Sequence, residues 1–537
     1  MKRYILVVQD TRGQGNSEGV DSVFLQDGWR DDKWDGWDTV EWIKSQSWCN
    51  GKVGTYGASA LGITQYLLAG AHHSAHLCGV PFVASWDMYR NAVMPGGEYR
   101  QNDIDAWLSY QNAMYMKDYF ADHYVRDTVW DWLDVGTRVD SVTTAFYHIG
   151  GWYDFFSQGT VEAFQALKHL GNKRLLMGPW SHFTINTPQV GEVTFPNAVL
   201  TNLDTLVFKW FDYWLKGTGD ISDIPTVYYY LMGPVDTSGY WNDWYEADDW
   251  PPTSDSVVLY LRSGGSLSFE EPGFEAPDLF VYDPRNPVPT VGGNNLALPA
   301  GPYDQDSVWT RPDVLTYITE PLQEDLVVTG DVKLRLYFSS DRLDTDFTAK
   351  LVDVYPDGRK MLILDGIKMA RHRLGLDRED FLTPGEVYEM EIDLWPTAYV
   401  FPAGHRVGLA ISSSNWPRFR LNLNNGGHPL RDTTDTLIAT NVVYHDLEHP
   451  SALVLRGTGG QGISGVAAKP RLLAFPNPFS MELTVSGYRG PARLYDAAGR
   501  LVRELWLESG NPVKLNLGPG VYFLKTQKGI LRLIKAH

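Results

Sequence analysis

An α/β layer built on a parallel sheet, followed by antiparallel all-β structure, is the fold class this 537-residue sequence predicts. Three observations predict it. Up to about residue 180, continuous apolar runs alternate with longer helix-periodic stretches, as in a parallel sheet covered by helices. Beyond about residue 225 the texture changes to short alternating strands separated by turn signals, the pattern of a sandwich or jelly roll. The last 69 residues then reverse the charge, with 5 Lys and 6 Arg against 4 acids, whereas the whole chain carries −19. That reversal marks a small, separately folding tail.

The strand-like runs of the first part cover residues 4–9, 52–57, 78–85, 143–152 and 173–180. Between the third and fourth lies an insertion, residues 86–141. Its "DAWLSYQNAMYMKDYF" and "VRDTVWDWLDV" are spaced like amphipathic helices, so a helical cap is expected. "LVFKWFDYWLKGTGD" reads as a further helix stopped by a C-cap glycine, Gly217. The expected division is 1–224 for the α/β part, 225–456 for the jelly roll, "GTGGQGISG" within a linker at 457–468, and 469–537 for a tail of hairpin-like strands.

Composition narrows the function. With 43% apolar and 13% aromatic residues the chain is globular, and it contains no apolar run long enough to span a membrane. Its acidity argues against a nucleic-acid surface, which needs clustered cations. Two cysteines, Cys49 and Cys78, exclude a disulfide-rich scaffold. They precede strands expected to be neighbours, so a bridge is open to them, although two free thiols are the preferred reading. The start, "MKRYILVVQDTRG", has no signal-peptide pattern.

One serine stands out. "GTYGASALGITQ" puts Ser59 at a strand-to-helix turn, where a hydroxyl is held exposed beside main-chain N–H donors. Gly57 precedes it and Gly62 follows, one position too late for the simple G-x-S-x-G string, and a serine here could equally be a helix N-cap. A hydroxyl becomes a nucleophile when a histidine takes its proton and an acid orients that histidine. "GGWYDFF" supplies Asp154 just past the fourth run and "MGPWSHFT" supplies His182 just past the fifth. Each alone could be a cap or an ordinary loop residue; their shared order and sheet edge make the pair informative.

The stretches "VVQDTRGQGNSEG", "WCNGKVGTYGASALGITQ", "GWYDFF", "GPWSH", "LDTDFTAKLVDVYPDGR" and "GHRVGLAISSSNWPRF" resemble the cocaine esterase and X-Pro dipeptidyl-peptidase superfamily of serine hydrolases over residues 1 to about 455. The resemblance implies an α/β-hydrolase domain with a helical cap and a C-terminal jelly roll. It further implies a triad of Ser59 as nucleophile, Asp154 as orienting acid and His182 as general base. Its elbow is G-x-S-x-x-G, which accommodates Gly62. Ala60 stands where relatives carry a tyrosine, and its backbone N–H is expected to serve the oxyanion hole. Relatives also have strands before "VVQDTRG", with a loop tyrosine that completes that hole; the expectation is an N-terminally truncated chain lacking these and a signal peptide. Phe156 matches a pocket position, while Trp152 and Trp416 are further candidates for the substrate site, with core packing as the alternative.

No cofactor is required by this chemistry. The expected partner is a small ester or amide, or a short peptide. The tail, "FPNPFS" through "LYDAAGRLVREL" to "LIKAH", resembles bacterial type IX secretion sorting domains, which implies a secreted or surface protein engaging that machinery. A non-catalytic surface binding protein that keeps the fold is the alternative. "AHHSAHLC" with His72, His73, His76 and Cys78 has no second ligand cluster for zinc. "RLDTDF" with Asp344 and Asp346 lacks the glycine and terminal glutamate of a calcium loop, so a structural role is expected.

Overall fold

The computed structural model describes residues 4–30, 34–171, 173–459, 473–475, 482–486, 489–508, 511–526 and 529–535. The first sheet is six-stranded, with β1 (Val53–Ala58), β2 (His76–Phe82), β3 (Ala145–Tyr153) and β4 (Arg174–Ser181) side by side and parallel. After a short hairpin, β5 (Gln189–Val190) and β6 (Val193–Thr194), the sheet continues with β7 (Val227–Leu231), parallel to β4, and closes with antiparallel β8 (Asp243–Ala247). The last two strands lie beyond residue 224, so the sheet borrows sequence from the stretch whose texture reads as jelly roll. Their alternating, antiparallel character explains that texture.

Helices α1 (Asp35–Ser45), α2 (Ala60–Gly70), α5 (Ser157–Ala166) and α6 (Leu203–Phe211) accompany the sheet. Ile63, Tyr66 and Leu67 of α2 pack with the insertion in one apolar core; Trp210 of α6 joins β3, β4 and the sandwich strands in another. β3 is buried along its whole length because it is covered on both faces, which is why its sequence shows no alternation. Gly217 ends the α6 region in a left-handed conformation, φ 67°, as the C-cap reading requires.

Two local expectations differ. Residues 4–9 form no strand: Ile5, Leu6 and Val8 are exposed, and the segment stands off β1 across a groove lined by Thr55, Tyr56 and Phe211. Apolar β-branched residues favour a strand, but without a neighbour to take the backbone hydrogen bonds there is no ladder. The insertion is helical but broken, into α3 (Gln101–Tyr110), α4 (Met116–Asp122) and 3₁₀ turns at Trp130–Leu133 and Val135–Ser141. Wrapping a pocket demands changes of direction that two long helices cannot make.

From β9 (Ser256–Arg262) to β19 (Ala452–Gly459) the chain builds an eleven-stranded sheet that wraps into the jelly-roll sandwich, almost entirely antiparallel. Its longest pair is β13 (Leu326–Ser340) with β16 (Tyr388–Phe401). β19 includes Gly457 through Gly459, so the first residues of the expected linker are strand; 460–468 lie outside the described residues. The tail forms a three-stranded and a four-stranded sheet around its own core, including Leu494, Leu507 and Leu524. "FPNPFS" after Phe475 and the last two residues of "LIKAH" are also outside the described residues. Among the described residues no helix is long and apolar enough to cross a membrane.

Candidate functional site

Parallel strands end their carboxyl termini on one edge, and β1, β3 and β4 each deliver one polar side chain there. Ser59 follows β1 directly. Its backbone is held at φ 57°, ψ −124°, a conformation rare for a residue with a side chain, and it makes no side-chain cap hydrogen bond to α2. The N-cap reading therefore gives way. The Ser59 amide donates to Phe82 O at 2.9 Å, pinning the turn to the end of β2, while its carbonyl accepts from Gly62 and Ile63. The elbow glycines are needed for close approach: a Cβ on Gly57 would lie 2.4 Å from Leu61 Cβ, and one on Gly62 2.5 Å from Ala84 Cβ.

Asp154 and His182 follow β3 and β4, which are adjacent in the sheet. Near their ends the register shifts, and Gly151 lets β3 approach so closely that a Cβ there would sit 2.2 Å from the Trp180 carbonyl oxygen. His182 Nδ1 meets Asp154 Oδ1 at 2.7 Å, and His182 Nε2 meets Ser59 Oγ at 3.0 Å. The second carboxylate oxygen of Asp154 accepts from the Phe156 amide at 2.9 Å. Asp154 is fully buried and His182 nearly so, and the imidazole is flanked by the Phe156 and Phe183 rings. The three residues singled out in the sequence are thus brought into one hydrogen-bonded line across 123 residues of chain.

Beside Ser59 opens a pocket lined by Ala60, Phe24, Met88, Trp107, Trp130 and Phe156, among other apolar side chains. Among the described residues, Ser59 is its only hydroxyl and no ionisable side chain lines it. Ala60, which lines this pocket, is the first residue of α2, where a backbone N–H has no carbonyl four residues back within the helix to bond. Phe156 lines this pocket. Trp152 is not: it is fully buried on the opposite side of the sheet, against Trp250, with Nε1 donating to Tyr230 O. Trp416 does not line the pocket either; it is 43% exposed in a jelly-roll loop that bridges to Pro289. Trp152 still lies inside β3 and packs with the sheet core, whereas Asp154 lies past the strand's end, so proximity to Asp154 in sequence did not carry Trp152 to the site.

Sequence reasoning missed the residues that surround Asp154. Arg100, from the start of the cap, is buried and donates to Phe155 O at 3.1 Å, its guanidinium stacked on Phe155 and Trp395. Burial, then the nearby Arg418 charge, pulls its pKa down to about 9. Asn294, from the jelly roll, also reaches the acid loop. The only signal was the Asn pair in "GGNNLALP", which says nothing of what it contacts. Elsewhere, His76 bonds Thr55 and Thr144, and His73 bonds Glu41, so both have structural partners. Asp344 and Asp346 bond Asn422, and Asp344 also pairs with Arg371, the structural role expected of them. Cys49 and Cys78 are free thiols.

The profile of the X-Pro dipeptidyl-peptidase (S15 family) matches residues 2–126 and 109–184, and that of the X-Pro dipeptidyl-peptidase C-terminal non-catalytic domain matches residues 220–454. The chain is 33% identical over 518 residues to cocaine esterase of Rhodococcus sp. (strain MB1 Bresler), spanning 84% of this chain and 88% of that protein. It superposes on an aminopeptidase from the marine sediment archaeon Thaumarchaeota archaeon with TM-score 0.72 and 25% identity, over 84% of both chains. An α-amino acid ester hydrolase shares the fold, with TM-score 0.73 at 24% identity over 84% of this chain and 85% of that one.

Proposed function

The chain belongs to the CocE/NonD and X-Pro dipeptidyl-peptidase (S15) family of serine hydrolases, and from that premise we propose that Ser59, His182 and Asp154 form its catalytic triad and that it cleaves esters of compact apolar acids. The observation that carries the reading is the unbroken line from Asp154 Oδ1 through both ring nitrogens of His182 to Ser59 Oγ. With Nδ1–H donated to the carboxylate, Nε2 is left as the acceptor of the serine proton. Ser59 Oγ attacks the acyl carbon, its proton passes to Nε2, and the oxyanion is met by the Ala60 N–H. Collapse expels the alcohol, which takes the proton from His182. Water then enters, loses a proton to His182 and adds to the acyl carbon; collapse breaks the bond to Ser59 Oγ, which takes that proton back from His182, and the acid leaves.

The acyl preference rests on the pocket. A dipeptide with a free amino terminus, or an α-aminoacyl ester, brings an ammonium ion that needs a carboxylate, and among the described residues none lines this pocket, Asp21, Asp27 and Asp35 lining the adjoining groove instead. A phenyl or branched alkyl group is matched by its aromatic and aliphatic walls. The rival reading, a binding protein without turnover, has no use for a buried acid held on a histidine. The resemblance of the basic tail to sorting domains supports export by the type IX route.

The test pairs fluorophosphonate labelling with substrate choice. Labelling should occur and vanish in Ser59→Ala. A p-nitrophenyl ester of benzoic or phenylacetic acid should be cleaved with a kcat/KM at least 10-fold above an Ala-Pro amide. Faster cleavage of the Ala-Pro amide would overturn the acyl assignment, and absence of labelling would overturn the triad.

A further inference from the structure

The jelly roll's polar reach into the acid loop has a chemical consequence. Asn294 is buried between the two domains, and its Nδ2 lies 2.9 Å from Asp154 O, 2.9 Å from Ser157 Oγ and 3.2 Å from Trp152 O. Two backbone carbonyls face this atom, so it must be the NH₂ and not the amide oxygen. One side chain thereby gathers the residue before β3 ends, the acid itself and the first residue of α5. The loop has further restraints: Asp154 N donates to Gly151 O, Ser157 N to Asp154 O, Phe156 N to Asp154 Oδ2 and Thr160 N to Phe156 O, and Arg100 holds Phe155 O.

Asn294 is itself held from behind. The neighbouring Asn295 donates to Gly292 O and Pro299 O, and its Oδ1 accepts from Arg418, which pairs with Asp365 at 2.5 Å. Asp365 is in turn bonded by Asn415 and faces Lys350, all buried in the sandwich. Asp103 of the cap accepts from Leu296 and Ala297, fixing the other side of the loop. Gly293, at φ 94°, has room for no side chain, because a Cβ would sit 2.8 Å from the Arg418 guanidinium.

We propose that Asn294 is a positioning residue for the catalytic acid: the jelly-roll domain, through the Asn294 amide, holds the Asp154 loop so that the carboxylate stays on His182. This rests on the triad reading above. It gives a role in turnover to a domain whose family description is non-catalytic. Asn294 touches no reacting atom, so its whole effect must pass through Asp154.

That requirement supplies the test. Asn294→Ala, Asp154→Asn and the double variant are assayed on the full chain with the p-nitrophenyl ester. Displacement of a catalytic group by about 1 Å costs about 10²-fold, so Asn294→Ala should lower kcat by about that factor with KM changed less than 3-fold. In the Asp154→Asn background the same substitution should cost less than 3-fold, since there is no carboxylate left to hold. Asn294→Leu, near-isosteric and without donors, should behave as Asn294→Ala where the alanine cavity weakens the fold. Equal losses in both backgrounds, a change confined to KM, or unfolding of both Asn294 variants would each overturn the proposal, because a merely structural contact predicts those results. If wild type labels at Ser59 and these results follow, only the positioning role falls. If wild type does not label, the triad reading falls and this proposal with it.

Discussion

Ser59 carries backbone strain at the turn from β1 into α2. At φ 57° and ψ −124° it occupies a region in which a Cβ is crowded, and non-glycine residues so held cost about 1–3 kcal/mol. Glycine adopts the same angles freely but loses more chain entropy on folding, about 0.5–1 kcal/mol. Ser59→Gly should therefore abolish ester cleavage while raising unfolding stability by about 1 kcal/mol, read as a higher urea midpoint against Ser59→Ala. A midpoint equal to that of Ser59→Ala would show that the elbow stores no strain. Ser59, Asp154 and His182 were legible in the sequence because each follows its strand pattern directly. Trp152 and Trp416 were not, because which way a side chain faces depends on packing that sequence spacing does not report.

At the scale of elements, the site depends on how closely β3 and β4 run. Gly151 is a point of close approach, and Asp154 and His182 leave the two strands only a few residues on. A methyl group there must push the strands apart, and such overpacking costs roughly 1–3 kcal/mol. Gly151→Ala is expected to lower the urea midpoint accordingly and to reduce kcat at least 10-fold through the widened Asp154–His182 contact. A destabilised variant with wild-type kcat would show that the loops, not the strand spacing, set that contact. The strands β1 to β4 were readable from continuous apolar runs. Residues 4–9 had the same composition and no ladder, since composition reports strand propensity and pairing needs a neighbour.

Across the whole molecule, cap and jelly roll meet at a buried carboxyl pair. Glu98 lies against Asp346, with Asp344, Arg371, Asn422 and Tyr282 around them. Burial, and then the charge of Asp344, lifts Asp346 from an ordinary 3.8 to about 8; burial, and then Asp346, lifts Glu98 as well. The folded state therefore keeps protons that the unfolded chain sheds. The pair's contribution to stability is full below about pH 4 and is lost as pH rises through about 8. Glu98→Gln retains a donor and removes one ionisation, so its melting temperature should gain on wild type between pH 5 and pH 9. Parallel pH dependence of the two proteins would refute this account of the interface.

The sequence by itself determined the α/β layer, the change to antiparallel strands, the elbow at Ser59 and the order of serine, acid and histidine, because these follow from local periodicity and from residues at strand ends. Only the tertiary structure decided the apolar walls of the pocket, the burial of Trp152 away from it, the pairing of Glu98 with Asp346 and the reach of Asn294 to Asp154. Those contacts join residues from about eighty to well over a hundred positions apart, and their energy comes from burial and hydrogen bonds that exist only once the chain has packed.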